Sequence, residues 1–323
     1  PSVIEANHIV QRSGENFRKF MFSFTDINGK ELCLRPDLTI ASCLRYLEGN
    51  FKGKEKIFYS GQAYRKVDSK KDKIIRNQVG FEILGSKDEK NDDKEIINTS
   101  IKILQDFKFS SGTLTIGNIE IFNLLISKLD IPKRWKLRLS RHFWREKYFN
   151  DLLKRLETNA DIDPTIVEID KKRYLDLLNK NPETMIAGRS VGEILKRFDT
   201  KIKDPRQAKR GNKVSKIIKS FLKISCPINK AAMELNKFFK KNKINLVVDQ
   251  RYFPISSNKL SKLNVKFSTS FGRHLEYYSG MVFKIDVKSK STTIKCAGGR
   301  YDRLISDLGS KKQVPAVGAA FNL

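Results

Sequence analysis

Two polar side chains in the stretch 56–85 have the spacing of ligand-binding groups on one strand. Gln78 and Glu82 lie four residues apart in a run that alternates polar and apolar residues. On a β-strand, residues four apart lie on the same face, so this carboxamide and this carboxylate can converge on one ligand. The stretch therefore predicts two strands, separated by a polar loop at 67–73, with a ligand on one face of the second.

A second set of candidates is aromatic and lies within residues 265–287, where apolar and polar residues alternate as in half-buried strands. Tyr277 and Tyr278 are adjacent, so on a strand they point to opposite faces and only one can face a ligand. Gly298 and Gly299 follow, and such a pair lets the backbone pass close to a neighbouring strand or to a small molecule. By themselves, aromatic strands and a glycine pair are also ordinary parts of a core.

Composition narrows the classes of function. The chain has 323 residues, enough for one large domain or two small ones, and no apolar run approaches the length of a membrane helix. Four cysteines without a CxxC pair and three scattered histidines predict neither a zinc site nor a disulfide framework, which fits a reducing cytoplasm. The net charge of +28 could indicate nucleic-acid binding, but the excess is lysine spread along the whole sequence. We interpret the charge as compositional bias with abundant Ile and Asn.

The elements that position the candidates begin with a hairpin. Residues 20–37 contain an Asn28–Gly29 turn between two alternating runs, the strongest hairpin signal in the sequence. A helix follows Asp37, which stands where it can cap that helix. One face of the helix is apolar and consists of Ile40, Cys43, Leu44 and Leu47.

The spacing of apolar residues in the middle of the chain predicts a helical region. Residues 114–118 read as a strand that stops at a helix cap, and residues from Pro132 to about Asn242 read as almost wholly helical. In the lysine-rich run 196–223 the apolar residues have helical spacing, so its basic face is interpreted as a solvated one. The aromatic residues of the region are expected in the core, and they are Trp135, Phe143, Trp144 and Phe149. Residues 244–248 are then predicted to return to a strand.

Taken together, several stretches resemble class II histidyl-tRNA synthetases and their paralogue, the regulatory subunit of ATP phosphoribosyltransferase. RHLEYYSGMVF at 273–283 and AGGRYDRL at 297–304 resemble the two histidine-pocket motifs. LRPDLT at 34–39 looks like the segment after motif 1, and residues 56–85 look like motif 2. VPAVGAAFNL at 314–323 resembles the start of motif 3, while residues 132–156 look closer to the alphaproteobacterial regulatory subunits. Any one motif alone would be weak, but the set covers essentially the whole chain.

The resemblance implies a histidine site. Asp37 takes the position of the carboxylate that receives the amino group of histidine, and an ammonium group buried from water needs such an anion beside it. This role is compatible with capping the helix. Tyr278 and Tyr301 match the tyrosines of the imidazole pocket. The complete set of histidine-binding residues implied is Asp37, Thr39, Gln78, Glu82, Arg273, Tyr278 and Tyr301.

The ATP half of the site departs from the synthetase pattern. Arg65 matches the motif 2 arginine that grips the α-phosphate of ATP, where a guanidinium fork suits phosphate oxygens, so it is a possible phosphate-binding remnant. Two positions on, the synthetases carry a glutamate for the ATP end of the site, whereas this chain has Val67. Arg273 matches the catalytic arginine, but His274 replaces the glycine that usually follows it. The resemblance therefore implies a retained histidine half and a damaged ATP half.

The implied fold is α+β: a class II synthetase-like, mainly antiparallel sheet flanked by helices. We expect one core domain over 1–323 with a helical insertion at about 132–243 and no anticodon-binding domain. The sequence starts at Pro1 without a methionine, so we expect the amino terminus to be missing or processed.

Two functions follow from the resemblance. The first is a non-catalytic regulatory subunit of ATP phosphoribosyltransferase, the opening step of histidine biosynthesis. The second is a histidyl-tRNA synthetase catalytic domain that lacks its carboxyl-terminal part. Retained Arg65 and Arg273 favour the synthetase, whereas Val67 and the amino-acid sequence of residues 132–156 count against it. An RNA-binding paralogue would rest on charge alone.

The expected partners of the regulatory subunit are L-histidine and a short-form ATP phosphoribosyltransferase catalytic subunit, which it activates and places under feedback control. A homodimer through residues 1–14 and the hairpin, within a hetero-oligomer, is also expected. No cofactor, metal, tRNA or membrane is expected, and the expected compartment is the cytoplasm.

Overall fold

The structure of the chain, a computed structural model, is described as two separate units. Unit 1 comprises Pro1–Phe122, Lys223–Phe238 and Val247–Leu323, and unit 2 comprises Asn123–Leu222 and Phe239–Leu246. No helix in the described part of the chain is both long enough and apolar enough to cross a bilayer. The structure describes residues 2–7, 18, 20–49, 51, 53–66, 73–106, 109, 111–158, 164–186, 189–202, 208–272, 277–288 and 293–322.

The chain contains both strands and helices, and its large sheet is mainly antiparallel, which is an α+β arrangement. In chain order the strands are β1 (Val3–Glu5), β2 (Ser23–Thr25), β3 (Glu31–Leu34), β4 (Glu55–Tyr64), β5 (Ile75–Leu84), β6 (Ser111–Asn118), β7 (Met185–Ile186), β8 (Arg189–Ser190), β9 (Ser225–Pro227), β10 (Lys259–Leu260), β11 (Leu263–Ser268), β12 (Met281–Lys288), β13 (Thr293–Arg300) and β14 (Ala316–Asn322). The helices that follow the first hairpin are α1 (Thr39–Glu48), α2 (Glu89–Asp106), α3 (Ile119–Lys128), α4 (Lys133–Arg141), α5 (Glu146–Thr158), α6 (Pro164–Leu178), α7 (Val191–Ile202), α8 (Ala208–Phe221), α9 (Ala231–Lys241) and α10 (Leu304–Asp307).

Unit 1 is organised around a nine-stranded sheet with the order β10-β11-β6-β12-β13-β14-β5-β4, in which β9 also pairs with β11. Its pairs are antiparallel except for β11 with β6. The polar–apolar alternation of β5 places Gln78 and Glu82 in the buried interior, as predicted from their spacing. Phe81 and Ile83 alternate with them and line a groove with residues of α2. Glu82 also borders this groove, so β5 lies between the candidate site and helix α2 without fully separating them.

A small three-stranded sheet, β1-β3-β2, leads into the site. The predicted hairpin is confirmed: β2 and β3 pair, Gly29 has φ +78°, and Asp26 Oδ1 accepts hydrogen bonds from Asn28 N at 2.9 Å and Lys30 N at 2.8 Å. Helix α1 follows, with the predicted apolar face buried or half-buried against the same core cluster as Met21 and Cys33. The hairpin and α1 therefore hold residues 35–38 at the edge of the core.

Unit 2 is mainly helical, as predicted for its stretch of sequence. Helices α5 and α8 pack through apolar stripes at helical spacing, Phe149, Leu152, Leu153 and Leu156 on α5 and Val214, Ile217, Ile218 and Phe221 on α8. Glu157 on α5 accepts hydrogen bonds from Ser215 Oγ at 2.8 Å and Lys219 Nζ at 2.5 Å on α8. The other predicted core aromatics, Trp135 and Phe143, are buried too, whereas Trp144 is only half-buried.

One strand prediction is wrong, and another is correct only in part. Residues 244–248 form no strand; instead Asn236 Oδ1 accepts a hydrogen bond from Val248 N at 2.9 Å and Asn236 Nδ2 donates to Val248 O at 2.8 Å, so a side chain satisfies the backbone in place of a neighbouring strand. The alternation at 265–287 belongs to two strands, β11 and β12, and not to one run through the tyrosine pair. Gly272, with φ +96°, follows the end of β11 and takes a conformation that only glycine adopts readily.

Candidate functional site

Glu82 on β5 is the centre of the candidate site. Its side chain is buried and accepts a hydrogen bond from Tyr59 Oη at 3.1 Å and another from Tyr301 Oη at 2.5 Å. The strand next to β5 leaves room for this carboxylate because it carries Gly318 at the paired position, where a Cβ would lie 1.3 Å from Glu82 Oε2. The Glu82 carboxylate can therefore occupy this position only because residue 318 is a glycine.

The electrostatic environment keeps Glu82 close to its titration point at neutral pH. Its pKa is raised from 4.5 to about 7: burial is the main cause, nearby Asp37 adds to it, and the hydroxyl donors around the carboxylate oppose it. A nearby cation would lower the pKa of this carboxyl group and favour its ionised form, because the positive charge offsets both the cost of desolvation and the repulsion by Asp37. The site is therefore suited to a positively charged ligand group.

Asp37 brings a second carboxylate to the same place from the loop before α1. It is 4% exposed, and its Oδ1 accepts a hydrogen bond from Ile40 N at 3.1 Å. Leu38 is the N-cap residue, so Asp37 satisfies a backbone donor in the first turn from one position before the cap. Burial raises the pKa of Asp37, while the positive charge of Arg65 and the backbone donors of Ile40 and Thr39 lower it. Two carboxylates with raised pKa values thus lie close together in the interior, one from the loop before α1 and one from β5.

Gln78 and Thr39 connect these two elements. Gln78 Oε1 accepts a hydrogen bond from Leu38 N at 3.0 Å, which joins β5 to the loop that carries Asp37. Thr39 Oγ1 lies 3.4 Å from Tyr59 Oη, and Tyr59 in turn donates to Glu82. Gly80 stands between Gln78 and Glu82 on β5, and a Cβ there would lie 2.4 Å from the Tyr59 ring. Tyr59 was not predicted as a site residue, since nothing in its local sequence distinguishes it.

Three tyrosines pack together beside the carboxylates. The ring centroids of Tyr277 and Tyr278 are 4.8 Å apart, and those of Tyr277 and Tyr301 are 5.8 Å apart with the rings near perpendicular. The prediction that Tyr277 and Tyr278 point to opposite faces is wrong, because both precede β12 and have no strand geometry. Burial and the charge of Glu82 raise the pKa of Tyr278 and Tyr301, so both remain hydroxyl donors. Because Gly299 has no Cβ, its backbone lies close to Met281 O, the Val282 side chain and the Tyr278 ring.

Tyr301 owes its position to a buried ion cluster that the sequence did not indicate. The neighbouring Arg300 is 4% exposed, and its Nη2 lies 2.7 Å from Asp93 Oδ1 on α2, while its Nη1 lies 3.0 Å from Asp302 Oδ1. Asp302 Oδ1 also accepts from Ala316 N at 2.9 Å, and Asp302 N donates to Ser279 Oγ at 3.1 Å. The segment before β12, the end of β13 and the start of β14 are thereby fixed to one another.

Of the remaining predicted residues, the structure describes the position of Arg65 but not that of Arg273. Arg65 Nε donates to Pro36 O at 2.7 Å, so this arginine supports the loop that carries Asp37 and lies near its carboxylate. Arg273 and His274 lie outside the described residues, as does Val67. The structure thus brings together Asp37, Thr39, Gln78, Glu82, Tyr278, Tyr301 and Arg65.

The chemistry of these side chains is compatible with an amino group as ligand. Two buried carboxylates can neutralise an ammonium ion, and the tyrosine hydroxyls can donate to an acceptor atom such as an imidazole nitrogen. Among the described residues, no group of three or more His, Cys, Asp or Glu side chains could hold a metal ion.

Comparisons with known proteins agree with the fold. The family model for histidyl-tRNA synthetase matches residues 1–323. Curated relatives named ATP phosphoribosyltransferase regulatory subunit include those of Agrobacterium fabrum, 28% identical over 98% of this chain and 88% of its own length, and Sinorhizobium fredii, 26% identical over the same shares. A crystal structure of an ATP phosphoribosyltransferase regulatory subunit/histidyl-tRNA synthetase from Bacillus halodurans aligns with a TM-score of 0.54 at 21% identity, over 100% of this chain and 71% of that chain. The predicted class II synthetase-like α+β fold and the resemblance to regulatory subunits are confirmed.

Proposed function

The chain belongs to the histidyl-tRNA synthetase family, and we propose that within this family it is a non-catalytic regulatory subunit of ATP phosphoribosyltransferase that binds histidine. The curated relatives that carry the regulatory-subunit name align with 98% of this chain, so the likeness is not confined to one motif. The activity then resides in a short-form catalytic partner, and this subunit supplies activation and feedback control.

The observation that carries histidine binding is the pair of buried carboxylates, Asp37 and Glu82, beside three tyrosines. Two anions around one ammonium group favour a free amino acid over a peptide that is blocked at its amino end. Tyr278 and Tyr301 supply hydroxyls for the ring nitrogens of histidine. The test is calorimetric titration of the full chain with L-histidine and with N-acetylhistidine. Equal affinity for the two ligands would contradict the proposed role of the carboxylates.

The loss of synthetase activity is argued from the ATP half of the site. Aminoacyl adenylate formation needs ATP and histidine held in attack geometry, and small errors of placement are expensive. Val67 stands where the synthetases have a glutamate for the ATP end, so part of that clamp is missing. An adenylation assay with histidine and ATP on a full-length clone should show no turnover. Turnover at ordinary synthetase rates would favour the second candidate, a histidyl-tRNA synthetase, which the retained Arg65 supports.

A homodimer is proposed through residues 1–14 and the hairpin β2–β3. Within the described part of this region, three large apolar side chains are exposed: Val3 at 41%, Phe24 at 45% and Ile27 at 100%. Exposed apolar groups gathered on one small sheet are typical of a protein contact. The four cysteines are free thiols, which suits a reducing compartment such as the cytoplasm.

Control of the catalytic partner requires a difference in affinity. Histidine can inhibit through this subunit only if it binds the inactive assembly more tightly than the active one, and substrates that favour the active assembly then weaken histidine binding by the same factor. Co-expression with a short-form catalytic subunit, followed by size measurement and activity assays with and without histidine, tests this. A catalytic subunit that is fully active and equally sensitive to histidine on its own would contradict the proposal.

A further inference from the structure

The turn between α4 and α5 in unit 2 concentrates cationic and aromatic side chains. We define the α4–α5 elbow as Arg138, Arg141, His142, Trp144, Arg145 and Tyr148. Residues 132–148 contain seven lysines and arginines but one acidic residue, Glu146, and they include both tryptophans of the chain. The lysine-rich run 196–223 is about as dense in positive charge, but it contains no tryptophan, so the combination of arginines with both tryptophans is what needs explanation here.

The side chains of the elbow contact one another closely. Arg138 Nη2 donates to Tyr148 Oη at 3.2 Å, and the Tyr148 ring meets the His142 ring edge-on at a centroid distance of 4.8 Å. The Arg145 guanidinium lies 4.6 Å from the centroid of the Trp144 ring. These contacts restrict the side chains of Arg138 and Arg145 on either side of His142. Part of their conformational entropy is therefore lost before any ligand binds.

The elbow carries a strong local positive charge. Burial and, after it, the charges of Arg145, Arg141 and Arg138 together lower the pKa of His142 from 6.5 to about 4. Ion pairs in the described part of unit 2 include Lys154 with Asp151, Arg210 with Asp130 and Lys219 with Glu157. In that part of the chain, no carboxylate pairs with Arg141 or Arg145, so their charge is not balanced by an acidic side chain.

The same turn contains enclosed nitrogen atoms without an acceptor. His142 Nδ1, Trp144 Nε1 and Arg145 Nε are all buried, and none has a hydrogen-bond partner in the described structure. Indole and guanidinium nitrogens can only donate, whereas a nitrogen of a neutral imidazole either donates or accepts. Two obligate donors and one imidazole nitrogen without partners within four residues are unusual, because an unpaired buried polar group is costly. The thirteen-residue helix α5 begins directly after Arg145, and its amino-terminal end adds positive potential.

We propose that the α4–α5 elbow is a binding site for a phosphate-class oxyanion. Such a group has several acceptor oxygens and suits the guanidinium forks of Arg141 and Arg145. We expect a small rearrangement of the turn to bring the enclosed Trp144 Nε1–H to its oxygens, together with His142 Nδ1 in the tautomer that carries the proton there. This site lies in unit 2 and is independent of the proposed histidine site in unit 1.

Because both tryptophans lie in this segment, intrinsic tryptophan fluorescence reports on the elbow directly. The full chain is titrated with pyrophosphate at constant ionic strength, with sodium chloride as the reference titrant. We expect a saturable change with pyrophosphate that chloride does not produce. Arg141→Gln and Arg145→Gln should each weaken binding about tenfold, the size expected for one lost charge-assisted hydrogen bond.

Lys154→Gln is the matched control, because it removes one positive charge from the exposed side of α5, away from the elbow. It should bind pyrophosphate like the wild type, and circular dichroism should show that all variants are folded. Equal binding by the double variant Arg141→Gln/Arg145→Gln, or the same response to chloride, would overturn the proposal. A short RNA oligomer that binds the elbow without competition from pyrophosphate would also overturn it, because the recognised unit would not be a single phosphate group.

Discussion

Replacing Glu82 by glutamine should have opposite effects on folding and on histidine binding. Glutamine is nearly isosteric, and its amide can keep hydrogen bonds to both Tyr59 and Tyr301, but it cannot ionise. In the folded protein the pKa of Glu82 is raised to about 7 from an ordinary 4.5. The folded state therefore holds a proton that the unfolded chain releases between these two values.

The sign and size of the stability effect follow from that difference. The stability that the protonated carboxyl provides is fully present below pH 4.5 and is lost as the pH rises through about 7. One pKa unit corresponds to about 1.4 kcal/mol, so the wild type should lose about 3 kcal/mol relative to Glu82→Gln across this window. For histidine the ionised carboxylate is favourable, and its loss should weaken binding by about 2 kcal/mol, roughly thirtyfold.

The assay is urea unfolding of wild type and variant from pH 4.5 to pH 8, with calorimetric histidine titrations at pH 8. Glu95→Gln is the control, since Glu95 is a half-exposed partner of Lys54 and Lys56 and its loss should change stability by less than about 1 kcal/mol. A stability difference between Glu82→Gln and wild type that does not vary with pH would refute the electrostatic reasoning. Unchanged histidine affinity would remove Glu82 from the ligand site.

Three further predictions concern the same site. Gly318→Ala should abolish histidine binding and destabilise the fold by about 3 kcal/mol or more, because its Cβ would overlap the Glu82 carboxylate, whereas Gly192→Ala, where a Cβ has only ordinary contacts, should be neutral or stabilising; calorimetry and thermal unfolding measure both. Gln78→Met should cost about 1–3 kcal/mol in urea unfolding and weaken histidine binding, because the Leu38 N–H loses its acceptor; wild-type behaviour would contradict the link between β5 and the loop. At pH 6, histidine binding should release close to one more proton from wild type than from Glu82→Gln, as measured by calorimetry in buffers of different ionisation enthalpy; equal release would contradict protonation of Glu82.

Local patterns predicted the parts of the site that depend on strand period and turn chemistry. Gln78 and Glu82 share a buried face because period two is a property of the strand itself. The hairpin was predictable because Asn28–Gly29 has a specific backbone requirement, and Gly29 does adopt φ +78°. Asp37 before α1 is likewise a local cap signal.

The remainder of the site depends on contacts between residues distant in sequence. Arg300 binds Asp93 across 207 residues, and Tyr301 reaches Glu82 across 219, so neither pair leaves a periodic signal. Tyr277 and Tyr278 were placed wrongly because alternation was extended over residues that precede β12 and form no strand. Val247 has strand-forming character, yet it is 75% exposed, which shows that β propensity without a neighbouring strand does not make a sheet.

The two carboxylates of the site lie on elements that have different neighbours. Asp37 belongs to the loop that leaves the small sheet, where Arg35 N donates to Ser2 O at 2.9 Å, whereas Glu82 belongs to the large sheet. With no ligand between them, these anions repel and each is costly to ionise, since burial raises both pKa values. An ammonium group that bridges them replaces repulsion with attraction, so its binding draws the loop and β5 together. Residues 35–38 therefore join the proposed histidine site directly to the hairpin, whose exposed Phe24 and Ile27 belong to the proposed dimer contact.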